Sequence, residues 1–347
     1  MAPGYAPGHA TAFECRRARK MSGESVSLVI PGRNCARTIR ACLEPAVAVL
    51  DPARGPLREI IFVDDGSTDQ TASIVGKFPV TYMAGDGRGP GVARNIGWRA
   101  AQYPLIWFVD SDCAAEPRCL EKLLAHVQDD KVAGVSGSYS NLHASSLLAC
   151  LIHEEIVERH LRMPRRVNFL ATFNVLYRRA ALEAVGGFDE RFLKAQDAEL
   201  SFRVMAAGYV LHFDRDARVG HHHETRWLPY LRTQRQQGYW RAWLHMMHTG
   251  HAAGDSYSSL TDHVQPPLAL LLILSIPLPW IPSLAFVPAL LAALLLAAQV
   301  PMTYRIVRRL SRPRYLLFAW MSLVRAFWRG VGMAQGLLAY LVSPRLD

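Results

Sequence analysis

Three apolar-rich stretches along the chain each stop at a polar end. Ser25 to Ile30 closes on Pro31-Gly32-Arg33-Asn34, Ile60 to Val63 on Asp64-Asp65, and Leu105 to Val109 on Asp110-Ser111-Asp112. Short runs rich in β-branched residues read as strands buried on both faces, as in a parallel sheet. Between them, helical spacing covers Thr38 to Leu50, about Thr68 to Lys77, and Val92 to Ala101. A short strand is expected at Val80 to Met83 and a glycine-rich loop at Gly85 to Gly91. This rhythm predicts an α/β fold with a doubly wound, mostly parallel sheet. Ligands in open α/β sheets bind outside the carboxyl ends of the strands, so all four aspartates fall on the edge where chemistry is expected.

Beyond Pro117 the pattern changes. A helix is expected to about Gln128, a strand near Ala133 to Ser140, and helices at Leu147 to Arg162, Arg178 to Val185 and Asp197 to Ala207. A strand at Tyr209 to Phe213 follows. Residues 227–265 open on a segment rich in Arg, Trp, Tyr and His. It reads as amphipathic and suits a membrane interface. Residues 267–300 are almost free of charge but carry Pro277, Pro279 and Pro282 in their middle. One straight span needs only about 20 residues, so the prolines predict a hairpin of two short spans turning near Pro279 to Ser283. Residues 315–342 are apolar again but include Arg325 and Arg329. They read as an interfacial or partner-packed helix, with a third span as the alternative. The division expected is a mobile basic tail over 1–24, a catalytic domain over 25–226, interface helices over 227–265 and a membrane region over 266–347.

Composition sharpens this picture. Hydrophobic residues make up 50% of the 347, and the excess lies after Pro266. The net charge of +10 comes without a helix-turn-helix, zinc-finger or aromatic RNA-binding signature, which argues against nucleic acid. Anionic lipid headgroups and anionic nucleotides account for it. The six cysteines are scattered without a Cys-x-x-Cys pair, which fits a reducing compartment. The N-terminus lacks the apolar core of a signal peptide. The basic run from Arg305 to Arg314 should stay cytoplasmic, and a hairpin keeps it on the same side as the catalytic part. The expected location is the inner (plasma) membrane, with the catalytic domain in the cytoplasm.

Candidate chemistry starts at the strand ends. Asp110-x-Asp112 can offer converging oxygens to a hard divalent cation, Mg²⁺ or Mn²⁺, and leave room for phosphate. Asp64 and Asp65 can accept hydrogen bonds from a base imide or a ribose hydroxyl. Arg94 opens a helix after the glycine loop, and its donor fork suits a base carbonyl or a phosphate. Gly85 to Gly91 contains Gly-x-Gly-x-Gly, but it follows the third strand, whereas a dinucleotide fingerprint follows the first.

The ordered set of motifs resembles family 2 glycosyltransferases, which have the GT-A fold. The nucleotide-sugar half is carried by Val26-Ser-Leu-Val-Ile-Pro-Gly-Arg-Asn34, Val63-Asp-Asp-Gly-Ser-Thr-Asp69, Ala93-Arg94-Asn95-Ile-Gly97 and Phe108-Val-Asp-Ser-Asp112. The acceptor half is carried by Gly186-Gly187-Phe188-Asp189-Glu190-Arg191-Phe192 and Gln196-Asp197-Ala-Glu199-Leu200-Ser-Phe-Arg203. The match spans about residues 25–225. It implies a nucleotide-sugar donor held by Pro31, Arg33, Asp64, Asp65 (favoured for the base), Gly91, Arg94, Asp110 and Asp112. It implies a metal bridging Asp112 and the diphosphate, with Asp110 on the ribose or the metal's water. A further ligand would come from His221-His222-His223, where His221 fits the family position best. It implies Asp197 as the catalytic base. The hydrophobic tail is similar to that of members that build exopolysaccharides or lipid-linked glycans, which implies such an acceptor.

Three departures stand out. Gln196 replaces an acid that family members commonly place before the base. Thr172-Phe173-Asn174 replaces a small-residue Gly-x-Asn. Gln236-Gln-Gly-Tyr-Trp240-Arg241 departs from the Gln-x-x-Arg-Trp of processive synthases, which favours addition of a single sugar. A membrane-anchored enzyme with a small soluble acceptor, a nucleotidyl- or phosphosugar transferase, and a non-catalytic scaffold remain as other readings. Deleting residues 266–347 is expected to release a soluble protein with donor binding intact; loss of donor binding would mean that the tail is part of the fold.

Overall fold

The computed structural model describes residues 25–248 and 255–343; the tail expected over 1–24 lies outside them. Nine strands form one sheet: β1 Val26–Gly32, β2 Leu57–Asp64, β3 Thr81–Ala84, β4 Leu105–Val109, β5 Cys113–Ala115, β6 Val132–Asn141, β7 Arg166–Val167, β8 Asn174–Arg178 and β9 Val210–His221. The order is β3-β2-β1-β4-β8-β6-β9-β5, with β7 also paired to β9. Pairing is parallel from β3 to β4. It turns antiparallel where β8 enters between β4 and β6, and β6 and β9 are again parallel. The sheet is therefore mixed. The antiparallel strands β5, β7 and β8 were not foreseen, because each is short and β8 follows a break in the apolar pattern.

The three apolar runs are strands buried on both faces. Leu28, Ile30, Ile60, Phe62, Leu105 and Trp107 enter one core. Val29, Ile61, Val63, Ile106 and Phe108 enter the other. Each such side chain contributes about 1.5–3 kcal/mol when fully buried. The helices that cover the sheet are α1 Ile39–Ala48, α2 Thr71–Val75, α3 Pro90–Ala100, α4 Cys119–Leu124, α5 Leu147–His160, α6 Arg179–Val185 and α7 Gln196–Ala206. Helix α3 lies close on the sheet because of Gly97, where a Cβ would meet Val29 Cγ1 at 2.3 Å. Asn95 exchanges hydrogen bonds with Phe188, giving one to its carbonyl (2.8 Å) and taking one from its amide (2.9 Å). That exchange ties α3 to the Gly186-Gly187 turn, whose two glycines have φ of +77° and +80°.

Five further α-helices follow among the described residues: α8 Trp227–Met247, α9 Leu260–Leu274, α10 Val287–Ala297, α11 Val300–Leu310 and α12 Leu317–Val342. Helices α9 and α10 are the arms of an apolar hairpin joined by two short 3₁₀ turns, Leu278–Trp280 and Pro282–Leu284. Its tip is bare: Trp280 is 89% exposed, and Leu274, Ile276 and Phe286 are also exposed. Among the described residues, one helical stretch, Pro282–Leu310, is long and apolar enough to cross a membrane. Helix α8, the start of the segment expected at a membrane surface, lies along α12. The crossing is tight because it runs over glycines: a Cβ on Gly238 would meet the Arg329 carbonyl oxygen at 2.1 Å, and one on Gly332 the Arg235 carbonyl oxygen at 1.9 Å. Arg325 of α12 reaches Glu155 of α5, and Arg309 of α11 reaches Glu158 and Glu154. The C-terminal helices are thereby bolted to the sheet domain by charge pairs as well as by packing.

Candidate active site

One cavity of about 1100 Å³ opens at the carboxyl edge of β1, β2 and β4. Pro31, Arg33, Asp65, Arg94, Asp110, Asp112, Gln196 and Asp197 all line it. So do Tyr230, Gln237 and Arg241 of α8, Pro266 of α9, and Arg325, Arg329 and Met333 of α12. The C-terminal helices thus form a wall of the cavity rather than a detachable anchor, which overturns the idea that residues 266–347 can be removed without touching it.

Asp64 and Asp65 have separate surroundings. Asp64 accepts from the Ser67 amide (2.7 Å) and the Tyr82 hydroxyl (2.9 Å). It is not among the residues lining the cavity, and its place is in holding the turn after β2. Asp65 does line the cavity and accepts from the Gly89 amide at 3.0 Å. Burial pushes its carboxyl above the usual range, against the pull of the Gly89 amide and Arg33. Arg33 donates to the Gly87 carbonyl at 3.4 Å, so both strand-end residues touch the glycine-rich loop. Gly91 itself packs against α7, where a Cβ would meet Gln196 Oε1 at 2.6 Å.

The Asp-x-Asp pair divides. Asp110 Oδ1 accepts from Arg94 Nη2 at 2.5 Å, so Asp110 is bound to an arginine rather than grouped with the metal-type ligands. Arg94 is buried, and its Nε and Nη1 have no protein partner. Asp112 instead faces His221, with Oδ2 and Nε2 3.4 Å apart. Strand β5 makes this contact, since Cys113 pairs in register with His221 of β9. Asp112, Cys113 and His221 present ligand atoms within 4.8 Å of one another. Burial pushes the Cys113 thiol well up, which makes it the poorest donor of the three. Asp112 and His221 remain as the oxygen and nitrogen donors. Burial works to raise Asp112, but the His221 imidazole and the Cys113 thiol outweigh it and hold the carboxyl below the usual range. The other ring nitrogen of His221, Nδ1, lies 2.8 Å from His223 Nδ1, the outer contact that commonly fixes a metal-binding imidazole. Burial, with His221 and His153 nearby, holds His223 down to about 2, so that ring is neutral. His222 turns away, with Nδ1 3.1 Å from His143 Nε2.

Asp197 stands in the first turn of α7, after Ala195 in a left-handed conformation (φ 60°). Its Oδ1 accepts from the Ala198 amide at 2.9 Å. Burial raises its carboxyl above the usual range; the Ala198 amide, Arg94 and Arg241 pull the other way without cancelling this. A carboxylate so placed is a stronger base than one in water. The neighbouring Gln196 Oε1 is buried without a protein partner. The Thr172 to Asn174 segment splits in role. Thr172 lines the cavity, whereas Asn174 is spent inside the sheet, accepting from Trp107 Nε1 (2.9 Å) and donating to the Ala217 carbonyl (3.0 Å).

Comparison with known proteins bears on the same segments. Residues 27–186 match the family model described as "Glycosyl transferase family 2". A pre-mycofactocin glycosyltransferase of Mycobacterium tuberculosis is 32% identical over 223 residues, covering 59% of this chain and 44% of that protein. Glycosyltransferase AglE of Haloferax volcanii is 26% identical over 204 residues, covering 57% and 66%. The chain thus spans roughly half to two thirds of the length of these curated relatives. Among solved structures, a mannosyltransferase from Pyrobaculum calidifontis, in complex with GDP-Man and Mn²⁺, superposes with a TM-score of 0.56 at 18% identity, covering 90% of this chain and 86% of that one. At that identity the likeness speaks for the fold, which is GT-A. Residues 27–186, with their strand-end aspartates and the Ala93 to Gly97 segment of α3, are a glycosyl transferase family 2 domain.

Proposed function

We propose that the protein is an inverting glycosyltransferase that moves a sugar from a nucleotide-sugar donor to an acceptor hydroxyl. The observation that carries this reading is that Asp65, Asp112 and Asp197, from three separate elements, line one cavity. Asp65 would take the base, with Pro31, Arg33 and the loop ending at Gly91 along the nucleoside. Arg94 and Asp110 would lie on the ribose and phosphate side, held together by their ion pair. Asp112 and His221 fit a divalent cation. A 3.4 Å spacing between their atoms lets both reach one ion at about 2.0–2.2 Å. Bound there, Mg²⁺ or Mn²⁺ would supply Lewis-acid stabilisation of charge on the leaving diphosphate. That the mannosyltransferase structure is a complex with Mn²⁺ agrees with use of a divalent cation.

In the step itself, the Asp197 carboxylate takes the proton of the acceptor hydroxyl as its oxygen attacks the anomeric carbon. The bond from that carbon to the diphosphate oxygen breaks, and the electron pair leaves with the nucleoside diphosphate. One displacement inverts the centre, so no covalent enzyme intermediate is needed. The raised Asp197 carboxyl suits general-base work, because basicity rises with pKa.

The acceptor is proposed to be lipid-linked or a polysaccharide precursor, met at the cytoplasmic face of the inner membrane. The bare apolar tip at Trp280 and the apolar stretch Pro282–Leu310 support membrane contact. Arg309, held on α5 by Glu154 and Glu158, keeps the basic loop on the side of the catalytic domain. The likeness to the succinoglycan biosynthesis protein ExoO of Rhizobium meliloti, 35% identical over 126 residues, agrees with a glycan product. The test is a panel of nucleotide sugars incubated with purified full-length protein and Mn²⁺, read by release of nucleoside diphosphate. Hydrolysis or transfer of one donor is expected; inertness toward the whole panel, with no Mn²⁺-dependent nucleotide binding, would defeat the reading.

A further inference from the structure

The wall of the cavity built by α5, α8, α9 and α12 carries an unbalanced set of charges. Arg159, Arg241, Arg325 and Arg329 line it, and so do Glu155, Asp255 and Asp262. Arg159 donates to Glu155 (2.5 Å) and to both oxygens of Asp262 (2.6 and 2.7 Å). Arg325 is paired with Glu155, and Arg241 with Asp255 at 3.0 Å. Every carboxylate of the wall is therefore taken, and Arg329 is left over. Its Nε donates to Gln234 Oε1 at 2.8 Å and its Nη2 to Gln237 Oε1 at 2.9 Å. Nη1 makes no hydrogen bond among the described residues.

Two amide oxygens fix a guanidinium in place without neutralising it. Taking a charge out of water uncompensated is costly, so a half-buried arginine held this way is set up to meet an anion. Its planar fork matches phosphate or carboxylate oxygens. The wall belongs to the base's side of the cavity: Arg241, one turn along α8 from Gln237, is near enough for its charge to act on Asp197. The residues at the donor's strand ends, Arg33 and Asp65, lie on other elements.

We propose that Arg329 binds a phosphate or diphosphate group carried by the acceptor, so that the acceptor class is a phosphorylated alcohol, whether a lipid phosphate or a water-soluble phosphate ester. This rests on the glycosyl-transfer reading for the word acceptor, but the anion site can be measured without it. Full-length protein, with and without Mn²⁺ and UDP or GDP, is titrated by calorimetry with inorganic phosphate and with decyl phosphate. The wild type is expected to bind at least one saturably, and Arg329→Gln to bind it about tenfold more weakly or worse, with nucleotide affinity retained. Arg329→Lys, which keeps charge but cannot use both amides, should fall between them, and it carries the test if the glutamine variant does not fold. Decyl phosphate bound in preference to inorganic phosphate supports a lipid-borne anion; equal binding supports a soluble ester. Undiminished phosphate binding by both variants, or no saturable binding by the wild type, overturns the proposal. So does a loss of nucleotide affinity in place of phosphate affinity, which would put Arg329 on the donor. If the wild type binds no nucleotide with Mn²⁺, the glycosyl-transfer reading fails, while an Arg329-dependent phosphate site would still support the anion site.

Discussion

Arg94 Nη2 lies 2.5 Å from Asp110 Oδ1, and the two side chains differ sharply in exposure: 4% for the arginine and 35% for the aspartate. The arginine comes from the first turns of α3, the aspartate from the end of β4. The pair fastens the helix after the glycine-rich loop to the central strand, and it takes Asp110 out of the Asp112–Cys113–His221 group. A motif that reads as two equivalent carboxylates is thus two different devices. One positions an arginine, and the other faces a histidine.

Replacing Arg94 by methionine should therefore cost more than a surface change. Removing one partner of a buried ion pair costs about 3–5 kcal/mol. Asp110 is partly open to solvent, so a value at or below the lower end is expected. Urea unfolding of the full-length protein measures it, and a midpoint equal to the wild type would show the pair to be incidental.

Asp112→Ala and His221→Ala should each abolish the Mn²⁺ dependence of nucleotide binding. If a Lewis acid supplies several kcal/mol at the leaving diphosphate, transfer should fall by about 10³-fold or more. Asp110→Asn should leave Mn²⁺ affinity nearer the wild type, because Asp110 stands outside the cluster. The reverse ranking, read by Mn²⁺ titration in the presence of nucleotide, would move the ion to Asp110.

The parts of this site that were legible share one property: their signal is local. Val29 and Leu28 feed opposite cores, so the run around them is apolar without alternation and marks a buried strand. The carboxylates at its neighbours' ends follow directly in sequence. Arg325 shows the limit. A charge inside an apolar helix announces a partner, but that partner, Glu155, is 170 residues away, and nothing along the chain names it. Helix α8 is ambiguous for a different reason. Interleaved Arg, Gln, Trp and Tyr suit a membrane surface, and they equally suit a helix that lines a polar cavity on one side and packs on α12 on another. Short β5 and β7 gave no periodicity to read.

Glu155 gives a prediction for the C-terminal region. Burial alone would raise its carboxyl, but Arg325 and Arg159 outweigh burial and hold it down to about 2, from an ordinary 4.5. The folded value is depressed, so the stabilisation is present above pH 4.5 and is lost as pH falls toward 2. Glu155→Gln should remove that part of the acid sensitivity and lower stability at neutral pH by about 3–5 kcal/mol, since it strands a buried arginine. Truncation before Pro266 should remove Arg325, one of the two arginine partners of Glu155, and weaken folding of the remainder. A truncated chain as stable as the whole, by thermal melting, would contradict the bolted arrangement.

Gly332 tests the crossing of α8 and α12. With its Cβ position 1.9 Å from the Arg235 carbonyl oxygen, Gly332→Ala must push the helices apart. Overpacking of this kind costs about 1–3 kcal/mol. The same shift would carry Arg329 away from Gln234 and Gln237, so the variant should lose anion affinity along with stability. A variant that melts like the wild type would show that the helices do not meet as closely as described.

Asp197→Asn separates binding from chemistry. The amide keeps the shape of the side chain and its bond from the Ala198 amide, so nucleotide and metal affinity should hold, while transfer falls by about 10²–10⁴-fold. The pH profile makes the assignment sharper. The base must be ionised to act, so kcat/KM should decline as pH drops through the Asp197 value, and burial puts that value above 3.8. A raised folded value also means that the native state holds this proton more tightly than the unfolded chain does. Stability from this group is therefore greatest at low pH and declines as pH rises through the interval between the two values. Asparagine abolishes both effects together. If the acidic limb of transfer persists unchanged in residual Asp197→Asn activity, the proton goes elsewhere, and the carboxylate in the first turn of α7 only positions the acceptor.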